Sequence, residues 1–429
     1  MFGLISHRLH TEWGHFQALS VDVRRLLLSY AFYLASYPLI ATFVNAYLWR
    51  ISGDLWSIVI YNSGWVFGLP VGFYLNGLIL RKIHILRLYL IGAIVQGITI
   101  CLVVFIPTHT AASILILGLL YGFGAGLYWA NKNYLSLQLT KGTNRIYFNS
   151  IEEIVDVCIN IAIPFAAGWF IAIAGYGSLE EATGAYKIVV LVGFVFLFLS
   201  GIIVQGSKLK TVIVDWLFVR KSSKAWGIMR MFNILYNTQI GLSLAISSVL
   251  VLLLVGGEEI LGTLQSVTAI VSAAVLYIIG RKATISQAWK IVGAGSLVFL
   301  FGGAVLAGIF SWVGAVVYTL IVTIAWVLQW SSSYAVSMEL MDAEEKNPER
   351  QYAYVCDNEV FFNIGRFLGI AIVVGVALSA GQNAALRWSP LVVGIIQLPL
   401  AWLVYKLAKN LHGRTKPSLS QAVLSKDLI

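Results

Sequence analysis

Charge is what this sequence lacks. Asp, Glu, Lys and Arg make up 11% of its 429 residues, against about a quarter in a soluble domain, which must present a polar surface to water. The remainder is 59% hydrophobic, with mean hydropathy +0.84. Such a chain cannot cover a water-facing surface over most of its length, so lipid is the expected solvent. Cysteine is also scarce. Cys101, Cys158 and Cys356 are far apart and form no Cys-x-x-Cys pair, so neither a zinc site nor a disulfide framework is indicated. No Gly-x-x-x-x-Gly-Lys-Ser/Thr occurs, which removes the phosphate-cradling loop of ATP-driven transport. No Ser-His-Asp arrangement can be assembled from the short loops, and the reading is not an enzyme. The first twenty residues carry Arg8, Glu12 and three histidines without a short apolar core and small-residue cleavage site, so the first span is expected to act as its own uncleaved insertion signal.

Apolar runs are what the chain has. An α-helix needs about 20 such residues to cross the hydrocarbon core. Runs between polar breaks fall at 26–49, 55–80, 85–107, 111–139, 151–175 and 187–205. A second set falls at 226–255, 260–279, 291–310, 312–338, 353–380 and 388–408. The fold class is therefore an all-α integral membrane protein with twelve transmembrane helices in two parallel six-helix halves. Residues 1–205 form the first half, 206–225 a cytoplasmic connection, and 226–429 the second half with a cytoplasmic tail. Spans four, seven, ten and eleven exceed the bilayer's need and are expected to tilt or project.

The net charge of +10 points to topology here and not to nucleic acid, because the basic residues are dispersed among the connections. With both termini inside, 25 of the 29 basic residues fall in inner segments, and only Arg50, Lys187 and Arg387 fall outside. That asymmetry is the positive-inside pattern of a cell membrane protein, multi-pass, with cytoplasmic ends. The connection at 206–225 mixes Trp216, Leu217 and Phe218 with basic residues, which suits either an amphipathic helix on the inner leaflet or a plain tether.

The halves echo one another. Arg81-Lys82 after span two corresponds to Arg281-Lys282 after span eight, and Tyr134-Leu-Ser-Leu-Gln-Leu to Tyr334-Ala-Val-Ser-Met-Glu-Leu. Arg145 precedes Glu152 by the same interval as Arg350 precedes Asp357. Parallel repeats of this kind place a substrate between the halves near the midplane. On these features the chain resembles the major facilitator superfamily. The connection between spans two and three, Gly77-Leu-Ile-Leu-Arg81-Lys82-Ile83-His84, keeps only the glycine and the basic Lys82 of that family's motif, and span five keeps only Pro164 and Gly168 of its antiporter motif. The resemblance leaves the subfamily unassigned. It implies a secondary transporter working by alternating access, with spans one, four, seven and ten around the cavity. It also implies that span two lies beside eleven and span five beside eight.

Ionisable groups within spans are costly and mark function by default. Span five carries Glu152, Glu153, Asp156 and Asn160, with 152, 156 and 160 on one helical stripe. Span eleven carries Asp357, then Glu359, Asn363 and Arg366 along one face. Span four adds Trp129, Asn131 and Lys132, and Lys132 has no charged counterpart at Trp330-Ser-Ser-Ser. Lys132, Asp156, Asn160, Glu359, Asn363, Arg366, Asn131, Trp129, Trp330 and Asn237 are thus the substrate or coupling candidates. A carboxylate in a low-dielectric site holds a proton readily, which suits proton coupling, and a cation there attracts anions; alternatively Lys132 neutralises Asp156. Softer candidates are Tyr30, Tyr33 and Tyr37 on span one, Asn233 and Gln239 on span seven, and Trp326 and Gln329 on span ten. The cytoplasmic gate candidates are Arg81, Lys82, Arg145, Glu152, Glu153, Arg281, Lys282, Arg350 and Asp357; the neighbour relations that the resemblance implies let Arg81 and Lys82 meet Asp357 or Glu359, and Arg281 and Lys282 meet Glu152 or Glu153. Gly122-x-x-x-Gly126 reads as a close helix contact. His7, His10 and His15 match no defined metal site, and no cofactor is expected. The partners expected are a small-molecule substrate, protons and the lipid bilayer, with the protein acting as a monomer. A lipid flippase of the same fold, or a membrane sensor or enzyme without transport, is the alternative.

Overall fold

The computed structural model describes residues 16–17, 19–106, 110–140, 143–176, 178–207, 214, 216–282 and 287–414. Twelve helical segments there are long and apolar enough to cross a membrane. Their order and register follow the apolar runs of the sequence, with longer ends. Span five, for instance, begins at Thr143 and runs to Ala174, and span six begins at Leu179. Span five joins four, seven, ten and eleven among the long ones, at 32 residues.

Short polar side chains start these helices. Ser20, Asp54, Ser178 and Ser223 each accept a hydrogen bond from a backbone N–H of the first turn, and Thr110 with Ser113 forms a reciprocal capping box. Between spans one and two the chain reverses at Gly53, whose φ of 66° lies in the left-handed region. Two crossings that read as continuous are broken. Span one divides at Thr42 into Val21–Ala41 and Phe43–Ser52. The Asn45 amide donates to the Ala41 carbonyl at 3.1 Å. Span twelve divides into Gln382–Ile396 and Leu400–Arg414, with Pro399 at the break. Residues 216–223 are not helical, so over that stretch the amphipathic-helix reading of the connection does not hold.

Small residues let the helices approach. Gly64, Gly68 and Gly72 of span two face Gly118, Gly122 and Gly126 of span four, and a Cβ added to any of the six would strike the opposing backbone. Contacts are densest within spans one to six and within spans seven to twelve. Across the two sets, span five packs on span eight, where Gly168 meets Gly262, and span two packs on span eleven. Both neighbour relations implied by the resemblance are present. An even number of crossings brings residues 21 and 409 to one face of the bundle, called the terminal face below; the opposite one is the far face.

Candidate functional site

The deepest charges form two compact clusters, one in each set of six spans. In the first, the Lys132 ammonium of span four lies 3.0 Å from the Glu152 carboxylate of span five. Both side chains are largely buried, at 8% and 13% exposure. The ammonium also stands 4.0 Å from the centre of the Tyr30 ring and 5.7 Å from that of Trp129, within cation–π range. The Trp129 indole N–H donates to the Tyr33 hydroxyl at 2.8 Å, and that hydroxyl donates to Gln96 at 3.3 Å. One polar chain therefore runs from the buried ion pair through span one to span three. Lys132 thus pairs with Glu152 and not with Asp156. Asp156 instead accepts from the Asn160 amide at 2.9 Å, as their common stripe suggests. Glu153 is exposed.

The second cluster lies on span eleven. Glu359 accepts from Asn363 at 2.7 Å and from Arg366 at 2.8 Å, and Arg366 also donates to Asn363 at 3.1 Å. The three residues read as one face converge on a single carboxylate. Span eleven packs on span seven at this height, where the Arg366 backbone lies against Gly241. Aromatic rings continue that wall: Tyr236 stacks on Trp330 at 5.9 Å, and Trp330 on Trp326 at 6.5 Å. Behind them, buried Gln329 donates to Ser296 and Gln397 and accepts from Gln239, at 3.1, 3.0 and 2.9 Å. Gln397 reaches this cluster from the break in span twelve.

Other candidates sit in packing seams. Asn131 exchanges amide hydrogen bonds with Asn76 at 2.7 and 2.9 Å, and Asn76 donates to the Tyr352 hydroxyl at 3.0 Å. Asn131 therefore ties span four to span two, one contact away from span eleven. Asn237 is buried, and donates to the Asn233 carbonyl.

Asp357 and Glu359 are paired with cations other than Arg81 and Lys82. Asp357 accepts two bonds from Arg230, at 2.8 and 2.7 Å, and one from the Trp226 indole at 2.7 Å, while Glu359 is taken by Arg366. Both carboxylates are largely buried beside cations of their own half, whereas Arg81 and Lys82 are exposed at the end of span two. An acid already desolvated against a close cation has no gain in reaching a solvated one. Arg350 stacks near Trp216, at 5.3 Å. The side chains of Arg145, Arg281 and Lys282, and the tail histidines, lie outside the described residues. Among the described residues no group of three metal-ligating side chains forms.

A cluster absent from the sequence reading joins the halves at the far face. Arg50 grips Glu258 through two bonds of 2.6 Å, and the Tyr186 hydroxyl donates to the same carboxylate at 2.6 Å. Arg50 and Tyr186 belong to spans one and six, and Glu258 opens span eight. Thr42 donates to Gln265 at 3.0 Å, Asn62 to the Leu244 carbonyl at 3.1 Å, and the Leu55 N–H to Gln382 at 3.0 Å, all across the same seam. The available signal was a lone cation closing span one and an acid opening span eight. Read one at a time, both passed for loop charges.

No family model matches this chain. It is 25% identical over 383 residues to the Bacillus subtilis protein YqgE, described as uncharacterized, covering 87% of this chain and 86% of that one. A protein from the sodM 3′ region of Geobacillus stearothermophilus is 29% identical over 163 residues, covering 38% of this chain and 74% of that one. Among solved structures, a bacterial homologue of the human lysosomal transporter Spinster, inward-facing and occupied, superposes with a TM-score of 0.67 at 11% identity, over 92% of this chain and 98% of that one. A D-xylose–proton symporter gives 0.65 at 11% identity, over 90% and 96%. The nucleoside transporter NupG gives 0.60 at 14% identity, over 93% and 100%. With twelve apolar crossings in two sets of six and these neighbours, the chain has the fold of the major facilitator superfamily transporters.

Proposed function

We propose that this protein is a secondary active transporter that moves a small molecule by alternating access, coupled to protons. In this reading residues 1–205 and 226–429 are the rocking units, joined by 206–225. Both ends face the cytoplasm of a cell membrane, and the protein works as a monomer. The observation that carries it is the pair of desolvated ion clusters, Lys132–Glu152 and Glu359–Arg366, one in each half of a transporter fold and flanked by aromatic rings. Charges so deep are costly to keep. Their interleaved aromatic surfaces suit a planar or ring-bearing solute, which gains both stacking area and a polar anchor.

Asp156 is the proton-coupling group in this account. Its amide partner, Asn160, can stay bonded to a neutral or an ionised carboxyl group, so a proton can come and go without unlocking the helix. The test is uptake into proteoliposomes under an imposed pH gradient, with panels of nucleosides, sugars and labelled lipids. These panels cover the solutes named for the structural neighbours and the flippase alternative. Accumulation driven by the gradient, lost in Asp156→Asn with membrane expression intact, is the expected result. Gradient-driven accumulation unchanged in that variant would remove Asp156 from coupling. Movement of lipids alone would establish the flippase reading instead.

A further inference from the structure

The connection between the halves does more than tether them. Its described part lies across the terminal ends of spans two and eleven. Leu217 is buried against Gly77, which has no side chain to block it, and next to Tyr352 of span eleven. Phe218 stacks on Tyr74 of span two with ring centres 5.0 Å apart, yet stays 66% exposed. Trp216 has the Arg220 guanidinium 3.9 Å and the Arg350 guanidinium 5.3 Å from its ring centre. Arg81 joins Trp216, Leu217, Phe218 and Arg220 in lining a cleft of about 200 Å³.

Two arginines, Arg81 and Arg220, thus line one exposed cleft, and a third, Arg350, stands 5.3 Å from the ring centre of Trp216 in its wall; each comes from a different part of the chain. Arg81 follows span two, Arg220 lies in the connection, and Arg350 opens span eleven. All three are exposed, and among the described residues no carboxylate lies within ion-pair distance of any of them. Like charges that have no counter-ion among the described residues repel one another, and a bound anion relieves the repulsion. Guanidinium groups suit a phosphate in particular, because their planar forks donate two parallel hydrogen bonds to its oxygens.

The surroundings select the source of that phosphate. Tyr74 and Leu78 lie at i and i+4 on the last turns of span two, one stripe of that helix, and Arg81 follows in the turn just past its end at Ile79. Leu78 is 46% exposed, and neighbouring Leu75 and Val71 are exposed as well. A cationic rim therefore stands directly over an apolar strip, with exposed Phe218 at the boundary. A free phosphate would use only the rim. A phospholipid uses both, its headgroup on the arginines and its acyl chain along the strip.

We infer that this cleft binds the headgroup of an anionic phospholipid, which bridges Arg81, Arg220 and Arg350. The bridge would tie the first half, the connection and the second half together at the terminal face. Bound lipid would then favour the arrangement in which spans two and eleven are in contact there. The inference depends on membrane embedding and not on which solute is carried.

The experiment is a titration of full-length protein in phosphatidylcholine nanodiscs doped with phosphatidylglycerol, read as the shift in thermal unfolding temperature. The parent is expected to gain stability with rising phosphatidylglycerol. Arg81→Gln, Arg220→Gln and Arg350→Gln should each weaken the apparent lipid affinity about fivefold, and the triple variant on the order of a hundredfold. Lys409→Gln, a terminal-face cation away from the cleft, should leave it unchanged. A triple variant with the parental response overturns the proposal. So does inorganic phosphate reproducing the parental shift in pure phosphatidylcholine, since a soluble anion would then suffice. Gln variants that already unfold in pure phosphatidylcholine are replaced by Lys variants, which keep the charge without the planar fork. Those should retain part of the response, and full retention would count against bidentate recognition.

Discussion

Replacing Glu258 with Ala should open the far face. On this carboxylate two side chains of the first half, Arg50 and Tyr186, converge on a charged residue of the second half. It accepts three bonds of 2.6 Å and is 4% exposed, while Arg50 is 43% exposed. Stranding a fully buried partner costs about 3–5 kcal/mol. Arg50 can turn toward water once released, so the loss here should be smaller, about 2 kcal/mol, close to that of one charge-assisted hydrogen bond. A change of that size multiplies the population of the opened form about 30-fold. Thr42 reports the opening: it is buried, bonded to Gln265, and two helical turns deeper than Arg50. In a background where Cys101, Cys158 and Cys356 are replaced by Ser, the Thr42→Cys variant should react slowly with a membrane-impermeant maleimide. Adding Glu258→Ala should accelerate labelling by about the same 30-fold if reaction is limited by opening. Glu259→Ala, one residue along and outside the cluster, is the control. Equal labelling rates with and without Glu258 would refute the assignment of this cluster as the far-face latch.

Three further outcomes follow from the packing. Lys132→Met should lose about 3–5 kcal/mol of stability by leaving Glu152 buried without a cation, and adding Glu152→Gln should recover most of it; thermal unfolding of the single and double variants measures the coupling. Gln329→Leu should lower stability by about 1–3 kcal/mol, because Gln239, Ser296 and Gln397 lose a shared buried partner, and the unfolding temperature reads it directly. Gly262→Val should cut expression of folded protein, since a Cβ there would meet the Pro164 carbonyl and push span eight from span five. A yield equal to the parent in size-exclusion chromatography would argue against that contact.

The fold was legible because the membrane imposes it. Each crossing needs a run of apolar residues, and runs of that length show in the sequence without any knowledge of packing. The helix breaks were less legible, since the residues around Thr42 and Pro399 sit inside runs long enough to be read as single crossings. Within the candidate site, neighbours along one helix were readable. Glu359, Asn363 and Arg366, like Asp156 and Asn160, lie at spacings that the helix itself brings together. Partners across helices were not. Lys132 meets Glu152 because span four packs against span five at that height, Asp357 meets Arg230 in place of Arg81, and Arg50 reaches Glu258 over 208 positions. Charge in a sequence shows that a partner is needed, and only the packing shows which one. The glutamine cluster was half visible: Gln239 and Gln329 stood out on their spans, but Gln397 depends on the break before Pro399.

The central claim is that spans one to six move against spans seven to twelve, closing one face as the other opens. Double electron–electron resonance between spin labels measures this directly. Gly184 and Gly308 suit the far face, and Lys82 with Gly227 the terminal face. A side chain added at Gly184, Gly227 or Gly308 would meet open space, and Lys82 is already exposed. The account predicts that introducing Glu258→Ala lengthens the far-face distance and shortens the terminal-face distance together. Distance distributions that stay fixed at both faces, or that lengthen at both, would contradict it.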